Sequence, residues 1–271
     1  MTTDQNARSG SDAGQRSPRT ARTSRGAGHQ AASFLKELVF VVVGALIVSS
    51  LLRAFVGQMF IIPSQSMEST LLIGDRVVVE KLTGFQRGDV VVFEDPGHWL
   101  ENEPVVDPGP FDRVLEFVGI PTASTPGHLI KRVIGLPGDR VVCCDDQSRI
   151  TVNGHQLDET SYLYVNPDGS QVNASDVRFR VVVPKDRIFV MGDHRDLSAD
   201  SRCHLADVAT DQPRGAVAFV PENLVVGPAF AIAAPFSRAH RLKRPATFDG
   251  VPAPKRAAPD QATIEPPGIT C

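Results

Sequence analysis

The chain has 271 residues and a formal charge of −3, which gives length and apolar content enough for a real core in one large domain or two small ones. A balance this close to neutral excludes a protein that holds nucleic acid by bulk charge, and no nucleic-acid partner is expected. Lysine is scarce, six against twenty-two arginines, so few side chains are available as an amine base.

Residues 1–33 hold Arg8, Arg16, Arg19, Arg22 and Arg25 among Ser, Ala, Gly and Thr, with almost nothing apolar. Such a stretch cannot bury enough surface to offset its ordering entropy, and it is predicted to be a disordered cytoplasmic basic segment. Residues 34–57 come next, with the apolar window LVFVVVGALIVSSLLRAFVG at 38–57. That is about the 20 residues a helix needs to cross the hydrocarbon. Arg53 lies near its end, where its stem can snorkel to the interface. Arginines and Lys36 dominate the N-terminal flank, so the positive-inside rule keeps the N-terminus cytoplasmic and puts the chain beyond residue 57 outside. A cleaved signal peptide is the alternative, but the leader and core are long and "RAFVGQ" lacks an A-x-A-like cleavage site.

After residue 60, β-branched runs separated by Gly, Pro, Asp and Asn take over at 76–81, 89–93, 129–134, 140–143, 149–154, 179–183, 187–193 and 223–233. That pattern predicts a mainly β, antiparallel domain over 58–237. Asn153-Gly154 supplies the turn of a hairpin. Residues 94–128, rich in Pro and Gly, read as an insertion in which only "FDRVLEFVGI" has helical spacing. Residues 238–271 are Pro-rich and basic and are predicted to be a flexible tail. The cysteines are Cys143, Cys144, Cys203 and Cys271. Adjacent cysteines fit poorly around one tetrahedral metal, so a zinc site with His204 is disfavoured and no metal or cofactor is expected. A disulfide from Cys203 to Cys143 or Cys144 is the better expectation for an exported domain.

Hydroxyls crowd the stretch IIPSQSMESTLLIGDRVVVEK at 61–81, with Ser64, Ser66, Ser69 and Thr70 just past the apolar window. A serine is a poor nucleophile until a base takes its proton. His194, between Asp193 and Asp196, offers a Ser66–His194–Asp triad, although neighbouring Arg195 and Arg202 disfavour an imidazolium. The other base is a neutral lysine. Lys36 is cytoplasmic, Lys243 and Lys255 lie in the tail, Lys185 in a turn and Lys81 at a strand end. Lys131 remains, in LIKRVIGLPGD. Strand alternation puts Leu129, Lys131 and Val133 on one face and Ile130, Arg132 and Ile134 on the other. A lysine among apolar neighbours loses hydration, which disfavours its ammonium and lets it act as a base. A snorkelling strand-edge lysine fits the same pattern.

The blocks PSQSMESTLLIGDRVVVEK, RGDVVVF, IKRVIGLPGD and MGDHRDLSADSR, in that order after an apolar anchor, resemble the signature blocks of bacterial type I signal peptidases (leader peptidases). The resemblance spans about residues 60–233. It implies an antiparallel β domain on the outer membrane surface and a Ser/Lys dyad that removes signal peptides from exported preproteins. By position it makes Ser66 the nucleophile and Lys131 the general base. Ser64 and the backbone N–H of Ser66 become the oxyanion donors, each such donor worth roughly 3 kcal/mol of barrier. Ser198 is implied to hydrogen-bond and aim the lysine, Asp200 and Arg202 to form a structural ion pair, and Asp193 and Arg195 to support the site. Substrate would add as a strand beside residues 60–65 and 128–131. Phe60, Ile62, Pro63, Met67, Leu71, Val77, Leu129 and Ile130 would line shallow pockets for small residues at −1 and −3, although plain core packing accounts for such apolar residues too. The implied partners are signal peptides, the lipid bilayer and, as a further candidate, the export translocon. The implied location is the cell membrane, crossed once. Ser69 where the family usually has proline, Leu197 for a polar residue and His194 where Asn is frequent depart from the pattern. Competing readings are an inactive peptide-binding homologue, a self-cleaving repressor, which would need a DNA-binding half, and the Ser/His hydrolase.

Overall fold

The computed structural model describes residues 25–55, 57–97, 99–100, 127–266 and 271, with side chains from Phe34 onward except 50–56. The basic segment before residue 25 and most of the 94–128 insertion, including its predicted short helix, lie outside the described residues. Helix α1, Arg25–Phe55, begins earlier than the apolar window and takes in the end of the segment expected to be disordered. Along it Phe34, Leu35, Leu38, Val39, Phe40, Val41 and Ile47 are exposed. Among the described residues no helix is long and apolar enough to cross a membrane. The chain divides into two compact units, 1–45 and 46–271.

The second unit is a set of antiparallel sheets. Its strands are β1 (Gly57–Ile61), β2 (Arg76–Glu80), β3 (Val90–Glu94), β4 (His128–Gly135), β5 (Arg140–Cys143), β6 (Ile150–Val152), β7 (His155–Gln156), β8 (Phe179–Val182), β9 (Arg187–Met191), β10 (Val220–Pro221), β11 (Val225–Ala234), β12 (His240–Arg241) and β13 (Thr263–Glu265). One sheet runs β1-β2-β11-β3-β4-β9-β10, with β12 also on β11; the other runs β13-β8-β5-β6-β7. All eight predicted β-branched runs are strands. Their valines and isoleucines suit a pleated, half-buried surface, as in β2, where Val77 and Val79 point inward between exposed or half-exposed neighbours. The β6–β7 hairpin turns at Asn153 and Gly154, with φ 54° and 85°, the left-handed pair that Asn-Gly supplies at least strain. Pattern reading missed β1, whose residues continue the apolar window, and the short strands β10, β12 and β13.

Strand β4 is the element that matters for the site. Its alternation divides its side chains among separate clusters. Leu129 and Val133 pack with Val91, Phe93 and Val190, while Ile130 packs with Met67, Leu71, Val90 and Val92. Lys131 stands opposite Val91 in the ladder to β3, so it emerges on the Leu129/Val133 face, as the pattern predicts.

Two expectations are corrected. Residues 239–266 are not loose. Phe248 is buried in the core that includes Tyr162, Phe179 and Phe189, β13 pairs with β8, Pro259 accepts a hydrogen bond from Lys185 N–H, and Arg238 binds Asp75. Its proline-rich composition hid a few well-spaced apolar anchors, Phe248, Val251, Ala262 and Ile264, that reach that core. The cysteines pair as Cys143–Cys144 and Cys203–Cys271, not as Cys203 to Cys143 or Cys144: Cys143 ends β5 in the smaller sheet, and the docked tail brings Cys271 to Cys203. Phe248→Ala is expected to destabilise the second unit by about 3 kcal/mol, read from denaturant unfolding; a loose tail would leave stability unchanged.

Candidate active site

Ser66 sits in a loop, residues 62–75, that leaves the sheet after β1 and returns into β2. Ile62 and Asp75 close its neck, with Ile62 N–H donating to the Asp75 carbonyl and Gly74 N–H to the Ile62 carbonyl, both at 2.9 Å. Within it, Glu68 N–H donates to the Gln65 carbonyl and Leu71 N–H to the Met67 carbonyl, making a tight turn. Met67 and Leu71 are fully buried beneath that turn, so the loop is pinned by its apolar residues while its hydroxyls stay at the surface or against β4. Ser69 has φ 95°, a conformation that the proline ring excludes. The serine at this position therefore goes with a different backbone from a proline turn, beyond the loss of rigidity expected from sequence.

Lys131 and Ser66 meet. The lysine Nζ donates to Ser66 Oγ at 2.7 Å, and the two residues are only 4% and 5% exposed. Burial pulls the Lys131 amine from 10.5 down to about 8, against the Asp200 and Asp193 carboxylates, which favour its charge; Arg202 adds to the effect of burial. Ser64 Oγ lies 3.3 Å from Ser66 Oγ. Among the described residues the Ser66 N–H meets no acceptor, which leaves it able to donate to an incoming oxygen.

Buried ion pairs frame the amine. Arg132, the next residue on β4, donates from Nε and Nη2 to Asp193 at 2.8 and 2.6 Å and from Nη1 to the Gly88 carbonyl. Its guanidinium also lies 4.3 Å from the centre of the Tyr162 ring. Arg202 binds Asp200 through Nε and Nη2 at 2.9 and 3.0 Å. Burial opposes the Asp200 charge, yet Arg202 and hydrogen bonds from Gly192 N–H and Ser198 hold its carboxyl below the usual carboxylate range. Arg195 pairs with Glu159 at 2.5 Å and donates to the Gly192 carbonyl. Gly192 itself is a point of close approach. A Cβ built there would collide with the Ser66 carbonyl oxygen and the Ser198 side chain.

The geometry joins most of the sequence-predicted residues and redistributes some roles. Ser64, Ser66 and Lys131 are together, and Asp200–Arg202 is an ion pair. Ser198 Oγ donates to Asp200 at 2.8 Å, whereas the hydrogen bond of Lys131 runs to Ser66. Asp193 pairs with Arg132. The His194 ring faces Glu68 at 3.2 Å and stacks on Tyr164 at 3.8 Å, while the backbone N–H of His194 donates to the Ser66 carbonyl. Phe60, Ile62, Met67, Leu71, Val77 and Ile130 form one buried cluster; Leu129 belongs to another, and Pro63 is exposed. Sequence reading missed Thr70, whose hydroxyl donates to Asp193 at 2.5 Å, and the roles of Arg132, Glu159 and Gly192. An arginine within an apolar strand was the available signal for Arg132, since a buried charge requires a partner.

A family model described as signal peptidase, peptidase S26, matches residues 35–234. Signal peptidase I of Mycobacterium tuberculosis is 35% identical over 226 residues, covering 76% of this chain and 74% of that protein. Signal peptidase I P of Bacillus subtilis subsp. natto is 31% identical over 186 residues, covering 66% and 84%. Signal peptidase I of Bacillus licheniformis is 30% identical over 195 residues, covering 69% and 88%. The chain belongs to the signal peptidase family, peptidase S26. It is an enzyme, a peptidase.

Keeping the amine dry has a thermodynamic consequence. A lysine whose value falls from 10.5 to about 8 on folding lowers stability by about 3 kcal/mol at neutral pH, because the unfolded chain binds the proton more tightly. The penalty is complete below about 8 and disappears as pH rises toward 10.5. Lys131→Met is therefore expected to raise unfolding stability at pH 7 by about 1–3 kcal/mol, with the gain shrinking toward pH 10. A loss of stability, or a gain independent of pH, would show that the amine is not desolvated.

Proposed function

We propose that this peptidase cuts N-terminal signal peptides from exported preproteins with a Ser66/Lys131 dyad, from an extracytoplasmic domain tethered by its N-terminal helix. The carrying observation is the buried 2.7 Å approach of Lys131 Nζ to Ser66 Oγ. A neutral Lys131 takes the Ser66 proton as Oγ adds to the scissile carbonyl carbon. The negative charge that develops on the carbonyl oxygen is met by the Ser64 hydroxyl and the Ser66 N–H. The lysine, now an ammonium, gives its proton to the leaving amine, and the acyl-enzyme forms. Water, deprotonated by the same amine, then releases the cleaved signal peptide and restores Ser66.

Substrate geometry is supported by two strand edges. Among the described residues β1 has β2 on one side and no strand on the other. The ladder from β4 to β9 begins only at Arg132, so among the described residues, 129–131 pair with β3 alone. The rings of Phe60 and His128 lie 5.3 Å apart, which brings these edges side by side. An extended peptide laid there would present its scissile bond to Ser66 and its −1 and −3 side chains to the Phe60, Ile62, Met67, Leu71 and Ile130 cluster, where bulk is excluded by contact. Tethering rests on the apolar window 38–57 and its arginine-rich flank. Holding enzyme and signal peptide in one bilayer layer would raise their effective concentration, with the export translocon a neighbour in that layer. The Ser/His alternative is disfavoured because the His194 ring is engaged by Glu68 and Tyr164.

On a synthetic signal peptide, Ser66→Ala and Lys131→Ala are each expected to lower kcat/KM by at least about 10³-fold, while His194→Ala retains most activity. A dead His194→Ala beside an active Lys131→Ala would overturn the dyad. For the wild type, kcat/KM is expected to climb with pH and level off above about 8, since at pH 7 only about a tenth of the amine is neutral.

A further inference from the structure

The segment beyond the family match supplies a group to the nucleophile loop. The match ends at residue 234, where β11 runs out beside the start of β2, with Ala234 opposite Arg76. A 3-10 turn, Phe236–Arg238, comes directly after it, and Arg238 N–H donates back to the Pro235 carbonyl. From this turn the guanidinium reaches Asp75, with Nε at 2.9 and 3.2 Å from the two carboxylate oxygens and Nη2 at 2.9 Å. This is a bidentate fork, the geometry in which arginine binds carboxylate most firmly.

Asp75 is the closing residue of the loop that carries Ser66. Its carboxylate is 1% exposed and accepts the Leu72 N–H at 2.8 Å, and its carbonyl accepts the Ile62 N–H across the neck. Asp75 thus ties the neck of the loop through its backbone carbonyl and joins it to the segment past β11 through its carboxylate. Without Arg238 the carboxylate would be a buried charge lacking its cationic partner. It would turn toward water and release Leu72 N–H, and the neck that fixes the height of Ser66 above Lys131 would loosen.

We infer that Arg238 is a positioning residue for catalysis, holding the Ser66 loop in register with Lys131 through Asp75. The inference rests on the dyad reading of Ser66 and Lys131. Arg238 does not touch the reacting atoms, so its effect appears in alignment. Small displacements of a nucleophile lower the chemical rate far more than substrate binding. The rest of the tail has its own fastenings, in Phe248, the β13–β8 ladder and the Cys203–Cys271 link. Neutralising Arg238 therefore leaves the tail docked and isolates the contact with the loop.

The experiment uses the full chain in detergent and a synthetic signal peptide. It compares wild type, Ser66→Ala, Arg238→Gln, Arg238→Lys, Asp75→Asn and the double variant Asp75→Asn/Arg238→Gln, each with a thermal melt. Arg238→Gln is expected to lower kcat about 10- to 100-fold with KM changed less than about threefold. Arg238→Lys should recover part of kcat, and the double variant should be no slower than the slower single, because both remove the same contact. Wild-type kcat in Arg238→Gln, a loss matched by the unfolded fraction in the melt, or multiplicative losses in the double variant would each overturn the inference. An active Ser66→Ala would instead remove the dyad reading on which it stands, so the two failures are distinguishable.

Discussion

The contact between Lys131 and Ser66 constrains everything around it. A lysine kept out of water beside a hydroxyl serves as a base only if its surroundings do not recharge it. Two carboxylates, Asp193 and Asp200, are close enough to favour its ammonium. Each is claimed by an arginine: Asp193 by Arg132 and Asp200 by Arg202. The ion pairs therefore do more than brace the segment between β9 and Cys203. Arg202 also opposes the ammonium directly, and burial is the largest influence on the amine. Breaking either pair from the arginine side would leave an unmatched carboxylate beside Lys131 and hold it protonated.

The fold delivers this arrangement by simple means. A strand buried on both faces, β4, carries lysine and arginine at successive positions, so their stems leave on opposite sides while both charges finish among the same buried carboxylates. A loop pinned by Met67 and Leu71 brings Ser66 to the lysine. Gly192, with no side chain of its own, lets the Asp193–Arg202 segment close against the loop from a third direction, through the hydrogen bond of His194 N–H to the Ser66 carbonyl.

Much of this was legible in the chain itself. Short β-branched runs bounded by Gly, Pro, Asp and Asn located eight strands, because valine and isoleucine suit a pleated, buried backbone and the bounding residues break it. Elimination among six lysines reached Lys131 because most of the others sit in flanks, turns or strand ends. What was not legible is pairing across long separations. Asp193 with Arg132, Arg195 with Glu159, Cys203 with Cys271 and Arg238 with Asp75 join residues that no local rule connects. The tail misled because composition measures average polarity, whereas docking depends on a few apolar side chains at the right spacing and on hydrogen bonds from ordinary polar ones.

The central claim concerns one nitrogen, and it can be observed directly. With only six lysines in the chain, the side-chain Cε signals of carbon-13-labelled lysine can be tracked by NMR against pH, with the Lys131→Met variant assigning the resonance. The account predicts that the Lys131 signal titrates with a midpoint of about 8. A Lys131 signal that stays protonated until about pH 10 or above would contradict it.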